Sequence, residues 1–330
     1  MNSIFNIFQE LKKQAIEIGE SFNVTSLPAI KNHKIGISIT EQPIFFIKCI
    51  DSKNVRYIDI NLEFIAIQYN RKCLLKSDIN KVEEDVYTII SLKTDLEELQ
   101  EYFLEIVFLI VKKIPENPVI KELKGEIDIL INLFNKFSFP PIKTIQGLWS
   151  ELLIIDQSSN PDYLIESWHN SKNDKFDFND GKDKLEVKST SKTRRIHTFS
   201  IEQLNTNKNS CLIIASIITI ETGIGKNIFG LVEQIEKRII KKELCFRLHE
   251  IIAQTLGKDF EKSFDIFYDY QSAVDSIRYY YSEFVPTIEL ENIPTQLTNV
   301  RFDCDLTEIP NVKSCKNCSL LHNSLLNKIK

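Results

Sequence analysis

The sequence predicts an α/β (α+β) chain. Short β-branched runs of alternating polarity interleave with longer stretches whose apolar residues recur at helical spacing. With 43% hydrophobic residues among 330, there is enough apolar side chain for two or three domains or subdomains. Residues 3–19 carry a helical pattern that ends at Gly19, and strands follow within 34–69, among them 44–49, 55–60 and 62–69. Another strand is expected at 86–92, then helices at 96–114 and 118–137, separated by the break from Pro115 to Pro118. Phe139-Pro140-Pro141 marks the end of this N-terminal α+β domain, residues 1–139, whose role the sequence does not declare.

Beyond that boundary the order changes to helix, strands, helix, strand. A helix over 144–155 takes Thr144 as its N-cap and carries the apolar stripe Leu148, Leu152 and Ile155. Strands are expected at 176–178, 185–188 and 194–199. Ser200 and Gln203 then form a capping box, and the β-branched run 211–220 supplies a buried strand. A turn at 221–227 and an amphipathic helix at 228–244 complete a core domain, residues 140–244. Residues 245–330 form a C-terminal extension of helices and late strands rich in Phe and Tyr.

Chemistry concentrates in two short segments, Phe176-Asp177-Phe178 and Leu185-Glu186-Val187-Lys188. Side chains alternate along a strand, so Leu185 and Val187 share one face while Glu186 and Lys188 share the other. If the two strands pair, Asp177 and Glu186 converge on one divalent cation with Lys188 beside the reacting oxygen, the chemistry of a metal-dependent nuclease. The same residues also suit a solvated amphipathic strand. Glu151 falls on the apolar stripe of its helix, where a carboxylate is costly unless it is paired or binds a cation. Its other reading is a stripe-margin residue that snorkels to water or captures a lysine. Gln203 has a sufficient structural reason in the capping box and a functional one beside a metal water or phosphate. His197 is either a phosphate or proton-transfer group or a hydrogen-bonded structural residue. Asp180 and Asp183 are reserves for the acid at Asp177, with their reading as turn residues around Gly181 the stronger one, and Pro161-Asp162 suits a helix start.

The arrangement resembles the common core of the PD-(D/E)XK nuclease superfamily. It is more similar to an uncharacterised bacterial family of that superfamily whose genes tend to sit among restriction and phage-defence systems. Gly147-Leu148-Trp149, Glu151-Leu152-Leu153, Trp168, Asp177-Phe178, the run from Leu185 to Thr190, His197 and Gln203-Leu204 carry that likeness. Tyr279 to Pro286, Ile293-Pro294 and Val300-Arg301-Phe302 extend it toward the end of the chain. The superfamily's literal Pro-Asp pair is absent at Asp177, which follows Phe176. The resemblance implies a restriction-endonuclease-like core, a mixed central sheet flanked by helices. It implies Asp177, Glu186 and the Val187 carbonyl as ligands to Mg²⁺ or Mn²⁺, Glu151 as an accessory acid, and Lys188 as the group that orients water or stabilises charge.

Lys182, Lys184, Lys188, Lys192, Arg194 and Arg195 crowd around the acidic motif and, with His197, are the candidate nucleic-acid contacts, or else the neutralising charges of a solvated hairpin. A net charge of -5 gives no general attraction to polyanions, so any nucleic-acid binding must be local. Tyr279, Tyr280 and Tyr281 suit either base stacking or a core. Seven scattered cysteines fit reduced thiols. Cys304, Cys315, Cys318 and His322 form a C-x10-C-x2-C-x3-H array that matches no strong zinc pattern, and ordinary free thiols are expected there. Glu10, Lys12 and Lys13 interrupt the N-terminus before a secretory signal forms, and the apolar run 106–111 is too short to span a membrane, so a cytoplasmic protein is expected.

The function expected from these readings is a metal-dependent DNA endonuclease of restriction or phage defence, acting alone, as a homodimer, or with a methyltransferase or ATPase. The alternative is a non-cleaving nucleic-acid-binding or scaffold subunit of a defence complex.

Overall fold

A computed structural model describes residues 3–13, 21–50, 57–77, 82–169, 174–205, 210–289, 292–314 and 318–326. The chain is mixed α/β and forms two compact units, Met1–Lys136 and Phe137–Lys330. No helix among the described residues is long and apolar enough to cross a membrane.

The first unit contains α1 (Ile4–Lys13), β1 (Phe22–Leu27), β2 (Ile30–Ile37), β3 (Pro43–Ile47), β4 (Ile60–Asn61), β5 (Ile65–Lys76), β6 (Val82–Leu92), α2 (Glu97–Val111) and α3 (Ile120–Lys136). Its sheet runs β1-β2-β3-β6-β5-β4, and β1 also pairs in parallel with β5 through Phe22↔Leu75 and Asn23↔Lys76, so the five longer strands close on themselves. Val24, Ile44, Phe46, Cys73, Leu75, Tyr87 and Ile89 form one apolar cluster of this unit. A Cβ at Gly36 would lie 2.8 Å from the Phe46 ring and 2.9 Å from Val24, which is why the strand carries no side chain there. Rings of Phe45, Phe103 and Phe134 pack edge to face across β3, α2 and α3. Strand β1 lies outside the predicted set because its polar Asn23, Thr25 and Ser26 dilute the apolar signal. The expected end of the first helix at Gly19 and the beginning of the strand expected at 55–60 lie outside the described residues.

The second unit holds α4 (Ile145–Gln157), α5 (Pro161–Ser167), β7 (Phe178–Asn179), β8 (Asp183–Thr190), β9 (Ile196–Ser200), α6 (Ile201–Leu204), β10 (Cys211–Ile218), β11 (Glu221–Thr222), α7 (Ile228–Glu236), α8 (Glu243–Leu256), β12 (Phe267–Tyr268), α9 (Tyr270–Ser276), β13 (Arg278–Tyr281), β14 (Arg301–Asp305) and α10 (Leu320–Leu326). Its central sheet has the order β13-β10-β8-β7. Strands β8 and β10 are parallel, with Glu186 opposite Ile214 and Lys188 opposite Ser216, whereas β7 and β13 add antiparallel edges. The ribbon β9–β14 aligns His197 with Cys304.

Three details differ from the sequence expectation. Asp177 sits in the bend just before β7, where it is not committed to a ladder. The helix expected at 228–244 is two helices, α7 and α8, because Asp162 accepts the backbone N–H groups of Ile240 and Lys241 and fixes a turn between them. Helix α4 is buried on nearly every side rather than along one stripe, since α5, α7, α8 and β8 all pack on it. Tyr280 is fully buried, in a cluster with Phe176, Phe199, Leu212 and Ile214.

Candidate active site

Helix α4 places the first acid. Thr144 accepts the N–H of Gly147 and starts the helix, and two turns later Glu151 is only 3% exposed. Its Oε2 accepts the indole N–H of Trp168 at 2.7 Å, and its Oε1 accepts the ammonium of Lys143 at 2.6 Å. Trp168 stacks on Phe178 at 6.0 Å between ring centroids. The tryptophan therefore packs and also fixes the carboxylate.

The second and third acids come from the β7–β8 edge. His169 donates its backbone N–H to the Asp177 carbonyl at 2.8 Å, and Asp177 Oδ2 accepts the Val187 N–H at 2.8 Å. Asp177 Oδ1 accepts a short hydrogen bond from Lys143. Nine residues further on, Glu186 is 5% exposed, and its Oε1 accepts Gln203 Nε2 at 2.7 Å and Lys188 Nζ at 2.8 Å. Gln203 makes the expected capping box, its Oε1 accepting the Ser200 N–H, while its amide donates to Glu186. Lys188 lies 5.1 Å from the centroid of the Phe199 ring.

Three buried carboxylates thus face two ammonium groups. Burial, reinforced by the charge of Asp177, pushes Glu151 up to about 8 against the pull of Lys143. The same two effects push Glu186 up to about 7 against Lys188. Burial alone would lower Lys143, but Glu151 and Asp177 outweigh it and hold the ammonium above the ordinary lysine range. Lys143 is the residue that sequence reasoning missed. It precedes the N-cap of α4 in a segment with no periodicity, and its one sequence signal is its place upstream of a helix with an acid on its buried side.

The basic candidates separate. Lys182, Lys192 and Arg194 are exposed, and Arg194 pairs with Asp305. Lys184 donates to Ser210 at 2.6 Å and lies over the Phe176 ring. Arg195 is 4% and His197 5% exposed. Arg195 donates to the Ser216 carbonyl at 2.8 Å, the Ser216 hydroxyl at 3.0 Å and the Ser276 carbonyl, while His197 Nε2 lies 2.7 Å from the Ser216 hydroxyl. Asp180 is a turn residue, accepting the N–H groups of Lys182 and Asp183. Asp162 caps a turn, as described above.

Among the described residues, the members of the C-terminal array are divided. Cys304 packs with Phe176, Phe199 and Leu306, and Cys315 lies outside the described residues. Cys318 and His322 meet Asp183 instead. Cys318 is disulfide-bonded, which departs from the free thiol expected there, and it offers no thiolate to a metal in that state. Cys49, Cys73, Cys211, Cys245 and Cys304 are free.

A family model described as "Putative PD-(D/E)XK family member, (DUF4420)" matches residues 6–307. The chain belongs to this family. The match spans both units and includes Lys143, Glu151, Asp177, Glu186, Lys188 and Gln203, while α10 lies beyond it. No curated protein and no solved structure matches the chain.

Proposed function

We propose that this member of the DUF4420 family is a divalent-cation-dependent phosphodiesterase that cleaves DNA by attack of water on phosphorus, in restriction or phage defence. The observation that carries this reading is the convergence of Glu151, Asp177 and Glu186 from three elements into one buried set with Lys188. Buried carboxylates repel one another and lose hydration, so such a set is costly without a cation. Carboxylate oxygens are the donors that hard Mg²⁺ or Mn²⁺ prefers, and a cationic group already lies between two of them, so the residues fit the ion.

When bound, the ion would supply Lewis acidity toward a phosphate oxygen and a more acidic water. Asp177, Glu186 and the Val187 carbonyl would hold it, with Glu151 as the accessory acid. Lys188 places positive charge where negative charge grows on the phosphate or its attacking water. Gln203 keeps Glu186 in one rotamer, and the Val187 N–H does the same for Asp177. Exposed Lys182, Lys192 and Arg194 supply phosphate contacts flanking the strand.

The test is incubation of plasmid and phage DNA with wild type and Lys188→Ala, in Mg²⁺, in Mn²⁺ and in EDTA. Cation-dependent cutting that disappears in a folded Lys188→Ala protein is the expected result. Binding of cation and DNA without cutting assigns the chain to a non-cleaving subunit that works with a methyltransferase or ATPase. Binding of neither overturns the site.

A further inference from the structure

Each oxygen of Glu151 and Asp177 has a distinct job. Glu151 Oε2 is held by Trp168 and Asp177 Oδ2 by the Val187 N–H, both neutral donors fixed in the surrounding structure. Those two bonds turn the remaining oxygens, Glu151 Oε1 and Asp177 Oδ1, toward one point. The Lys143 ammonium occupies that point, bonded to both. Two carboxylates held by neutral donors and presenting one oxygen each to a shared cation are also the arrangement that receives a divalent ion.

We infer that Lys143 is the resident counter-cation of the site: its ammonium holds the position between Glu151 and Asp177 in the cation-free protein and leaves it when a divalent cation binds. The inference rests on the metal-dependent reading above and names the residue that sets cation affinity. Mg²⁺ needs its oxygens at about 2.0–2.1 Å in near-octahedral geometry, which leaves no room for an ammonium bonded to the same two atoms. Charge points the same way. With all three carboxylates ionised, two lysines leave the set one charge negative, and exchanging Lys143 for a divalent ion makes it neutral.

The chain also permits the exchange. Lys143 lies in the irregular segment before α4 and not within a helix or strand, and its side chain retains 27% exposure, whereas Glu151 retains 4%. Its methylene stem therefore reaches in from the rim and can swing out toward water without disturbing a ladder or a helix. Lys188 differs: it is anchored in the middle of β8, beside β10, and remains with Glu186.

Competition has a signature that a merely structural ion pair lacks. Removing the ammonium should tighten cation binding, because the ion no longer displaces a bonded group, and should weaken the cation-free fold, because two buried carboxylates lose their partner. Mn²⁺ binding is to be measured by electron paramagnetic resonance for wild type and Lys143→Met, together with thermal midpoints with and without Mn²⁺. The expected result is about tenfold tighter Mn²⁺ binding by Lys143→Met, within the usual range of linked equilibria. Its midpoint should fall below wild type without the ion and recover with it. Equal or weaker binding by a folded Lys143→Met protein overturns the inference while leaving the metal site intact.

A second measurement needs no variant. Acetylation of wild type by an amine-reactive ester, read by mass spectrometry, should modify Lys143 slowly without Mn²⁺ and several-fold faster with it. A rate that Mn²⁺ leaves unchanged overturns the exchange. Absence of Mn²⁺ binding by both wild type and variant overturns the exchange and the metal-dependent reading together.

Discussion

Glu151, Asp177 and Glu186 form one buried polar group of the second unit, and Arg195, His197 and Ser216 form another, both built around β8, β9 and β10. They meet the cost of burial differently. Arg195 takes its charge inside with no carboxylate, satisfied by two carbonyls and a hydroxyl, and His197 stays neutral beside that hydroxyl. Its hydrogen bonds are already made within the protein, so the group needs no ligand. The acidic group is short of positive charge, and two of its three acids are pushed toward protonation. Burial alone therefore does not mark a functional site; buried charge of one sign with too little of the other does.

The sharpest way to break this comparison is to neutralise the acid that touches both the lysine and the strand backbone. Asp177→Asn keeps the shape and one acceptor for the Val187 N–H but removes the charge. Cleavage should fall by about three orders of magnitude or more, the scale seen when charge aimed at a transition state is removed. Single-turnover cleavage of plasmid DNA measures it, and activity within tenfold of wild type would remove Asp177 from the site.

The second prediction concerns stability. Arg195→Met strands the carbonyls of Ser216 and Ser276, so urea denaturation should show a loss of about 4 kcal/mol. The folded fraction should keep its salt dependence of DNA binding, since Arg195 is itself buried and its guanidinium is bonded to Ser216 and Ser276. A reduced salt slope with unchanged stability would move Arg195 to the nucleic-acid side.

Much of the acidic group was legible in the sequence because alternation of side chains along a strand is a strong local rule. It put Glu186 and Lys188 on one face, where they meet at 2.8 Å. The capping box of Ser200 and Gln203 was legible in the same way. Lys143 was not legible, since an irregular segment has no period to say where its side chain goes and only the packing of α4 against β8 brings it to Asp177. Arg195 and His197 were legible in part: they alternate with exposed Ile196 and Thr198 and share a face with buried Phe199. Their abundance of charge beside other basic residues suggested a surface patch, whereas the face of Phe199 decides their burial. The breaking of the helix expected at 228–244 came from Asp162, some eighty residues away in sequence, which no local pattern carries.

His197 sharpens the comparison through pH. Burial first, then the charges of Lys188 and Arg195, lowers it from 6.5 to about 4, so the unfolded chain binds this proton more readily than the folded one. The stability owed to a neutral His197 is therefore complete above pH 6.5 and is lost as pH falls toward about 4. His197→Gln cannot titrate, and the difference between its stability and that of wild type should change by about 3 kcal/mol or less across that window. Chemical denaturation at intervals between pH 7 and about 4 measures it. Parallel curves for the two proteins would mean that His197 has no depressed proton affinity.

The smallest effect is expected at Arg194, one residue from Arg195 and opposite to it in every respect. It is exposed and paired with Asp305, whose carboxyl is pulled down to about 2 by Thr307 first and by Arg194 after it. An exposed pair contributes little to folding, so Arg194→Ala should leave the thermal midpoint near wild type. As a phosphate contact it should instead weaken DNA binding a few-fold on every sequence and reduce the salt slope by about one. Fluorescence anisotropy with a labelled duplex over a range of salt concentrations tests this against Arg195→Met. If the two adjacent arginines behave alike in both assays, the division between a self-satisfied interior group and a surface that meets DNA fails. If they split, each with its own loss, the direction of one side chain just before β9 decides whether an arginine serves the fold or the substrate.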